Sequence, residues 1–189
     1  MQRLKSLRTL AARAARLAPL LALPMLALAG CTPDPEERAP ACPKALLRPD
    51  ASSFTRYDGN GTDLRNLVLS ARLTDVEGAC KGLLGHSGLT AHAHLLMQLT
   101  RGPAAHSNEV DIPYVVAVMK GDHVLDRREK VQHVVFPPNV DTVKVTGDDV
   151  YFNFPTRRGL GGDQYGIFML LQLTPAELAA NQAALAAGH

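Results

Sequence analysis

Apolar and polar side chains alternate along several stretches of the chain, which is the pattern of β-strands that bury one face. In residues 91–100, Ala91, Ala93 and Leu95 begin an apolar row, and His92 and His94 lie in the opposite row. This alternation predicts a strand whose apolar row faces a core. Alternation and β-branched side chains predict further strands in residues 67–74, 112–119, 123–136, 140–145, 150–154 and 165–173, and an edge strand in residues 43–48.

Turn-forming residues separate these strands, and no amphipathic helix is predicted between them. Lys120-Gly121-Asp122 predicts a hairpin turn, and Gly161-Gly162-Asp163 predicts a second one before the last strand. Seven or eight short strands with regularly spaced turns predict an all-β fold, an antiparallel immunoglobulin-like β-sandwich. A small closed barrel is the alternative. The chain contains no Trp, which argues against an antibody-type domain.

One helix is predicted, at the end of the chain. Thr174 suits the N-cap, Pro175 suits the first turn, and Glu177 stands three residues after the cap, where it completes a capping box. The helix is expected to span residues 175–187 and to end before Gly188. We interpret it as a cap on one end of the sandwich, and a partner-binding helix is the alternative.

The first thirty residues predict an export signal. They contain five basic residues and no acidic one, and an apolar run occupies residues 17–28. A membrane span needs about 20 apolar residues. This run is shorter and contains two prolines, so residues 1–30 are interpreted as a cleaved signal peptide.

The signal ends in Leu28-Ala29-Gly30-Cys31, which resembles the lipobox of bacterial lipoproteins. The resemblance implies transfer of a diacylglyceryl group to the sulfur of Cys31, cleavage before this residue and acylation of the new amine. Such an anchor holds a protein far better than a single acyl chain. The alternative is a plain secretory signal followed by an incidental cysteine. Thr32 stands where an Asp commonly retains lipoproteins at the inner membrane, which favours the inner leaflet of the outer membrane, facing the periplasm.

Other segments resemble an uncharacterised family of Gram-negative lipoproteins. The resemblance covers most of the mature chain and implies no activity and no site. The segments that carry it are Cys42-Pro43-Lys44 and residues 73–80, 101–104, 112–118, 136–138 and 172–178.

The mature chain is expected to be a short tether followed by one domain. Residues 31–41 comprise the lipidated cysteine and a stretch with three prolines and three acidic residues, a composition that favours an extended chain. Residues 42–189 suit a single domain with one core. Without residues 1–30, the 20 basic residues of the chain fall to 15, against 18 acidic ones. The mature chain would therefore have a net negative charge, which argues against nucleic acid as a partner.

Two cysteines remain once Cys31 is assigned to the lipid anchor. Cys42 and Cys80 are 38 positions apart and form no Cys-x-x-Cys motif. In an oxidising compartment such a pair predicts a disulfide. A metal-binding or redox-active pair is the alternative.

His92 and His94 are the candidates for a metal site, because side chains two positions apart on a strand share a face. His133, Glu109 or Asp111 could supply a third ligand. The alternative is a pair of histidines on the solvent face of a sheet. Two other motifs are rejected: Gly85-His86-Ser87-Gly88-Leu89 lacks the last glycine of a nucleophile elbow, and residues 159–164 lack the last glycine of a dinucleotide loop.

These features predict a membrane-anchored periplasmic lipoprotein that acts as a non-catalytic binding or assembly module of the cell envelope. Its partners would be the membrane, through the lipid, and an envelope protein. No catalytic residue and no cofactor are assigned. The alternative function is a metal-binding protein or a metal-dependent enzyme that uses His92 and His94.

Overall fold

A computed structural model describes residues 41–59, 61–83, 88–155 and 161–188. The predicted signal peptide, Cys31 and the tether up to residue 40 lie outside the described residues, as do most of the rejected nucleophile motif and the start of the rejected dinucleotide motif. The elements are β1 (Lys44–Leu47), β2 (Ser53–Tyr57), β3 (Leu67–Gly82), β4 (Gly88–Arg101), β5 (Glu109–Lys120), β6 (His123–Val135), β7 (Thr142–Thr146), β8 (Val150–Pro155), β9 (Tyr165–Leu171) and α1 (Pro175–Ala186).

The strands form two sheets. Sheet I has the order β1-β9-β5-β6, and β1 runs parallel to β9 whereas the other pairs are antiparallel. Sheet II has the order β2-β3-β4, and β7 and β8 lie end to end along the far side of β4. The prediction of a mainly antiparallel β fold with one short C-terminal helix is confirmed.

Both sheets contribute to one hydrophobic core, because each turns alternate side chains inward. In β4 the inward row includes Leu95 and Met97, and sheet I supplies Val116 and Met169, all of them at most 1% exposed. The predicted orientation of residues 91–100 is confirmed, with Ala91 and Ala93 buried and the two histidines on the opposite face.

A β-bulge in β3 changes which side chains face the core. Up to Leu73 the odd-numbered residues point inward, and the pairing with β4 then slips by one residue between Leu73 and Asp75. Beyond the slip, Val76 is buried and Glu77 is exposed. An extra residue on one strand re-aims every side chain that follows it. The strand predicted to end at residue 74 thus continues to Gly82. The short edge strand β2, in which only Phe54 is buried, was not predicted.

One predicted turn is confirmed and the other is wrong. Gly121 adopts a positive φ of 56° in the turn between β5 and β6, a conformation that glycine adopts without strain. Gly161-Gly162-Asp163 does not close a hairpin, because β8 belongs to sheet II and β9 to sheet I. The buried Gly162 instead begins a short 3-10 turn, and its N–H donates to the carbonyl of Ala41 at 2.7 Å.

The predicted helix and its capping box are confirmed, and α1 ends one residue earlier than expected. Thr174 Oγ1 accepts a hydrogen bond from the backbone N–H of Glu177, and Glu177 Oε2 accepts one from the N–H of Thr174 at 2.7 Å. No residue of α1 is buried. Polar contacts attach the helix to β2 and to the turn before it: Arg56 bonds to Glu177 at 2.8 Å, and the amide of Asn181 donates to the carbonyls of Asp50 and Ser53. None of the helices that the structure describes is long and apolar enough to cross a membrane.

The carboxylate of Glu177 makes the attachment of this helix sensitive to pH. Burial opposes its ionisation, but hydrogen bonds from Arg56 and Thr174 outweigh burial and hold the pKa of Glu177 below its usual range. A carboxyl whose pKa is lower in the folded chain stabilises it above the unfolded pKa, and this stabilisation is lost as the pH falls through the folded pKa.

We expect Glu177→Gln to lower the free energy of unfolding by about 1 kcal/mol at pH 7, since glutamine keeps the capping geometry and loses the ion pair with Arg56. The difference from the unaltered protein should shrink between about pH 5 and pH 3, as measured by urea unfolding. Glu109→Gln is the control, because Glu109 is exposed and forms no ion pair among the described residues. A pH-independent difference for Glu177→Gln would contradict the assignment.

Candidate functional site

The outward face of sheet II holds a cluster of ionisable and aromatic side chains around His94. In the strand register, Glu77 of β3 lies opposite His94, and Tyr151 of β8 lies opposite His92. Asp149, directly before β8, reaches the same place. We call these five residues, His92, His94, Glu77, Asp149 and Tyr151, the His94 cluster.

His94 lies between two carboxylates. Its Nδ1 is 2.9 Å from Oδ1 of Asp149, and its Nε2 is 3.6 Å from Oε2 of Glu77. The hydrogen bond with His94 lowers the pKa of Asp149, and the charges of His92 and His94 and the hydroxyl of Tyr151 lower it further, whereas burial raises it. The carboxylate of Asp149 therefore remains ionised at neutral pH.

Tyr151 and His92 form the aromatic part of the cluster. Their ring centroids are 5.5 Å apart with an interplanar angle of 40°. Tyr151 is 60% exposed, and its hydroxyl donates to Oδ2 of Asp149 at 3.5 Å. An exposed tyrosine beside charged groups offers apolar area and a polar tip, which is the combination enriched in binding surfaces.

Two irregularities in sheet II bring the carboxylates to the histidines. The bulge in β3 turns Glu77 to the outward face and places it opposite His94. The break between β7 and β8 is fixed by the buried Gly147, whose N–H donates to the carbonyl of Leu95 at 2.8 Å, and Asp149 follows two residues later. Glu77, Asp149 and Tyr151 are not assigned to a site by the sequence pattern. The signal that could have found Tyr151 is the alternation along β8, which puts it on the outward face.

The possible third ligands His133, Glu109 and Asp111 are not part of the His94 cluster. All three lie in β5 and β6 of sheet I, and His133 Nδ1 bonds instead to Oδ1 of Asp111 at 2.8 Å. Alternation predicts the face of a strand but not the sheet to which the strand belongs. Within residues 41–59, 61–83, 88–155 and 161–188, no three His, Cys, Asp or Glu side chains are placed so that they could hold a metal ion.

The predicted disulfide between Cys42 and Cys80 is present, with the two Cα atoms 5.7 Å apart. It connects Cys42, which lies two residues before β1 of sheet I, to Cys80 in β3 of sheet II. The bulge in β3 also explains this contact, because it turns Cys80 toward the core, opposite the buried Ala91. The one extra residue in β3 therefore determines both the outward orientation of Glu77 and the inward orientation of Cys80 that permits the disulfide.

A groove of about 470 Å³ lies beside the disulfide, between β1 and β3. Its walls carry small side chains, because Gly78, Ala91, Ala93 and Ala45 occupy positions where larger residues would fill the space between the sheets. Glu77 and His92 of the His94 cluster also line the groove, whereas Asp149 and Tyr151 do not.

No family model, curated protein or solved structure matches the chain.

Proposed function

We propose that the protein is a lipid-anchored lipoprotein of the bacterial envelope that acts as a non-catalytic binding module. In this proposal residues 1–30 direct export, Cys31 carries the lipid, and residues 31–41 tether the domain to the inner leaflet of the outer membrane, where it faces the periplasm. The resemblance of Leu28-Ala29-Gly30-Cys31 to a lipobox supports the anchor.

The observation that carries the proposal is the disulfide between Cys42 and Cys80. Disulfides persist in oxidising compartments such as the periplasm and are rare in the cytosol. The chain has three cysteines, and the bridge uses two of them. The third, Cys31, is the one that the lipobox assigns to the lipid.

The finer description of the fold is part of the proposal. Two sheets with a common core and a bridging disulfide suit a β-sandwich that is immunoglobulin-like in architecture. Its strand order would be its own, because β2, β3 and β4 are consecutive neighbours in sheet II, whereas an immunoglobulin domain places its first, second, fifth and fourth strands in one sheet.

The His94 cluster is the binding face that the geometry supports best. The carboxylate side chains of Glu77 and Asp149 are 58% and 39% exposed, and Tyr151 stands beside them. Acidic oxygens next to an exposed aromatic ring favour a partner that presents Lys or Arg, through charge-assisted hydrogen bonds and cation–π contacts. The partner is therefore a basic segment of an envelope protein.

The arrangement of His94 supports binding more than catalysis. A histidine that activates a nucleophile needs one ring nitrogen directed at a hydroxyl or thiol. Here Nδ1 bonds to Asp149 and Nε2 faces Glu77. Both nitrogens are thus directed at carboxylates, which suits an ion-pair network on a docking surface.

One observation favours the alternative, a metal-binding protein or a metal-dependent enzyme that uses His92 and His94. Nε2 of His94 and Oε2 of Glu77 are 3.6 Å apart, and Asp149 bonds the other ring nitrogen, as carboxylates behind metal-bound histidines do. This alternative predicts stoichiometric metal in the purified protein and its loss in His92→Ala/His94→Ala.

A photo-crosslinking residue at position 151 tests the binding face in living cells. We expect one discrete crosslinked species at position 151 and none at the exposed control position Leu64. Glu77→Gln/Asp149→Asn should remove the species, because the basic partner loses both carboxylates. The same crosslink in this double variant, or no crosslink at position 151, would contradict the proposed face. Elemental analysis of the purified protein decides between the proposal and the metal alternative.

A further inference from the structure

The strand β6 is a long edge strand of sheet I. It occupies the end of sheet I and pairs only with β5 among the described residues. Leu125 and Val131 of this strand are 55% and 62% exposed. A long edge that exposes apolar side chains and unpaired backbone groups is a template for another strand.

The charges of β6 are self-complementary in an antiparallel arrangement. The run Asp126-Arg127-Arg128-Glu129-Lys130 lies in the regular part of the strand. When a second copy runs antiparallel with Arg128 opposite Arg128, Asp126 faces Lys130 and Arg127 faces Glu129. Because the arrangement is symmetric, four opposite-charge pairs form. Leu125 is passed over in the pairing of β6 with β5, so the regular part of the strand begins at Asp126.

Other registers lack this match. A shift of the second copy by two residues in one direction places Glu129 opposite Glu129 and Arg128 opposite Lys130. A shift in the other direction pairs Asp126 with Arg128, but it places Arg127 opposite Arg127 and loses the pairs with Glu129 and Lys130. A parallel, in-register pair would place every charge opposite its own kind. Like charges directly opposite each other destabilise a strand pair.

The side chain of Arg128 is already withdrawn from the centre of this arrangement. It bonds to Asp126 at 2.7 Å, donates to the carbonyl of Tyr151 at 2.9 Å and lies 4.6 Å from the centre of the Phe152 ring. These contacts direct the guanidinium toward sheet II of its own chain, so the like charges at the centre are separated and partly neutralised. Arg127 and Glu129 lie on the opposite face, 2.7 Å apart.

We propose that two copies of this chain associate through antiparallel pairing of β6 with β6 about a two-fold axis at Arg128. The pairing joins the two copies of the four-stranded sheet I into one sheet of eight strands. The interface is isologous, so the same residues contribute from each copy. It depends on neither the lipid anchor nor the His94 cluster, and its failure would leave the proposed function unchanged.

Disulfide trapping of the purified protein tests the register. Residues directly opposite each other in an antiparallel pair have Cα atoms about 4.5–5.5 Å apart, within the range that a disulfide requires. Arg128→Cys should therefore form a covalent dimer under mild oxidation, whereas Val135→Cys, exposed near the end of the same strand, should not. Equal trapping at both positions, or trapping at neither, would overturn the proposal.

A charge exchange tests the pairs without a new cysteine. Glu129→Arg should weaken self-association about tenfold in sedimentation equilibrium, since two attractive pairs become repulsive. Arg127→Glu/Glu129→Arg should return it to the value of the unaltered protein, because the exchanged charges match again. A monomeric unaltered protein, or a double variant as weak as Glu129→Arg, would overturn the proposal. Both residues are exposed, so their exchange leaves the core intact.

Discussion

Replacing Cys42 and Cys80 together by alanine is expected to lower the free energy of unfolding by about 4 kcal/mol. The bridge closes a loop over a sequence separation of 38 residues, and on the chain-entropy model its removal restores conformational freedom to the unfolded chain. Urea unfolding of the double variant and of the oxidised protein measures the difference. This loss is a large part of the 5–15 kcal/mol, roughly, that stabilises an ordinary domain.

Two controls separate the bridge from the side chains that it joins. Reduction of the unaltered protein should produce the same loss as the double variant. Lys81→Ala, an exposed change next to Cys80, should stay within about 0.5 kcal/mol of the unaltered protein. A double variant that loses less than about 1 kcal/mol would show that strand pairing alone determines the stability of this part of the domain, and the entropic argument would fail.

Replacing Cys31 by alanine is expected to transfer the protein from the membrane fraction to the soluble fraction of the envelope. A diacylglyceryl group with an amide-linked chain gives stable membrane attachment, and the unmodified chain has no replacement for it in the proposal. Cell fractionation followed by immunoblotting measures the change. The effect should be nearly complete, because no acyl chain is added without the sulfur of Cys31.

Thr32→Asp is the matched variant for this prediction. It preserves Cys31, the proposed site of lipidation, so the protein should stay in the membrane fraction. The resemblance to lipoproteins implies that this variant moves from the outer to the inner membrane. Mass spectrometry of the exported protein supplies an independent readout. An unmodified thiol at position 31, or residues 1–30 still attached, would contradict the proposed lipid anchor.

The strands that could be predicted are those with regular alternation or many β-branched side chains. Residues 91–100 alternate without interruption, and β4 follows the predicted orientation throughout. The second half of β3 was not predicted because Asp75, Glu77 and Gly78 are unfavourable in strands. These residues form a strand because they pair with β4. The residues of a turn do not encode the sheet of the next strand, which is why Gly161-Gly162-Asp163 was misread as a hairpin.

The candidate site was predictable only for the residues that share one strand. Period two places His92 and His94 on the same face, and the structure agrees. Glu77 and Tyr151 join them through cross-strand register, which depends on the bulge in β3 and on the break before β8. The alternation of apolar and polar residues predicts regular strands only. It does not predict how a strand pairs with its neighbour beyond a bulge or a break.

The position of the bridge has a mechanical consequence for a domain held by its N-terminus. A pull from the membrane would enter the domain at Ala41, one residue before Cys42, and would act first on the hydrogen bond from Gly162 to Ala41 and then on the pairing of Lys44 with Gly166 in β9. Without the disulfide, such a load would separate β1 from β9 one residue pair at a time. With the disulfide, the load passes through covalent bonds to Cys80, which lies near the C-terminal end of β3 and is paired with Ala91 of β4. The short first strand is thereby relieved of tension.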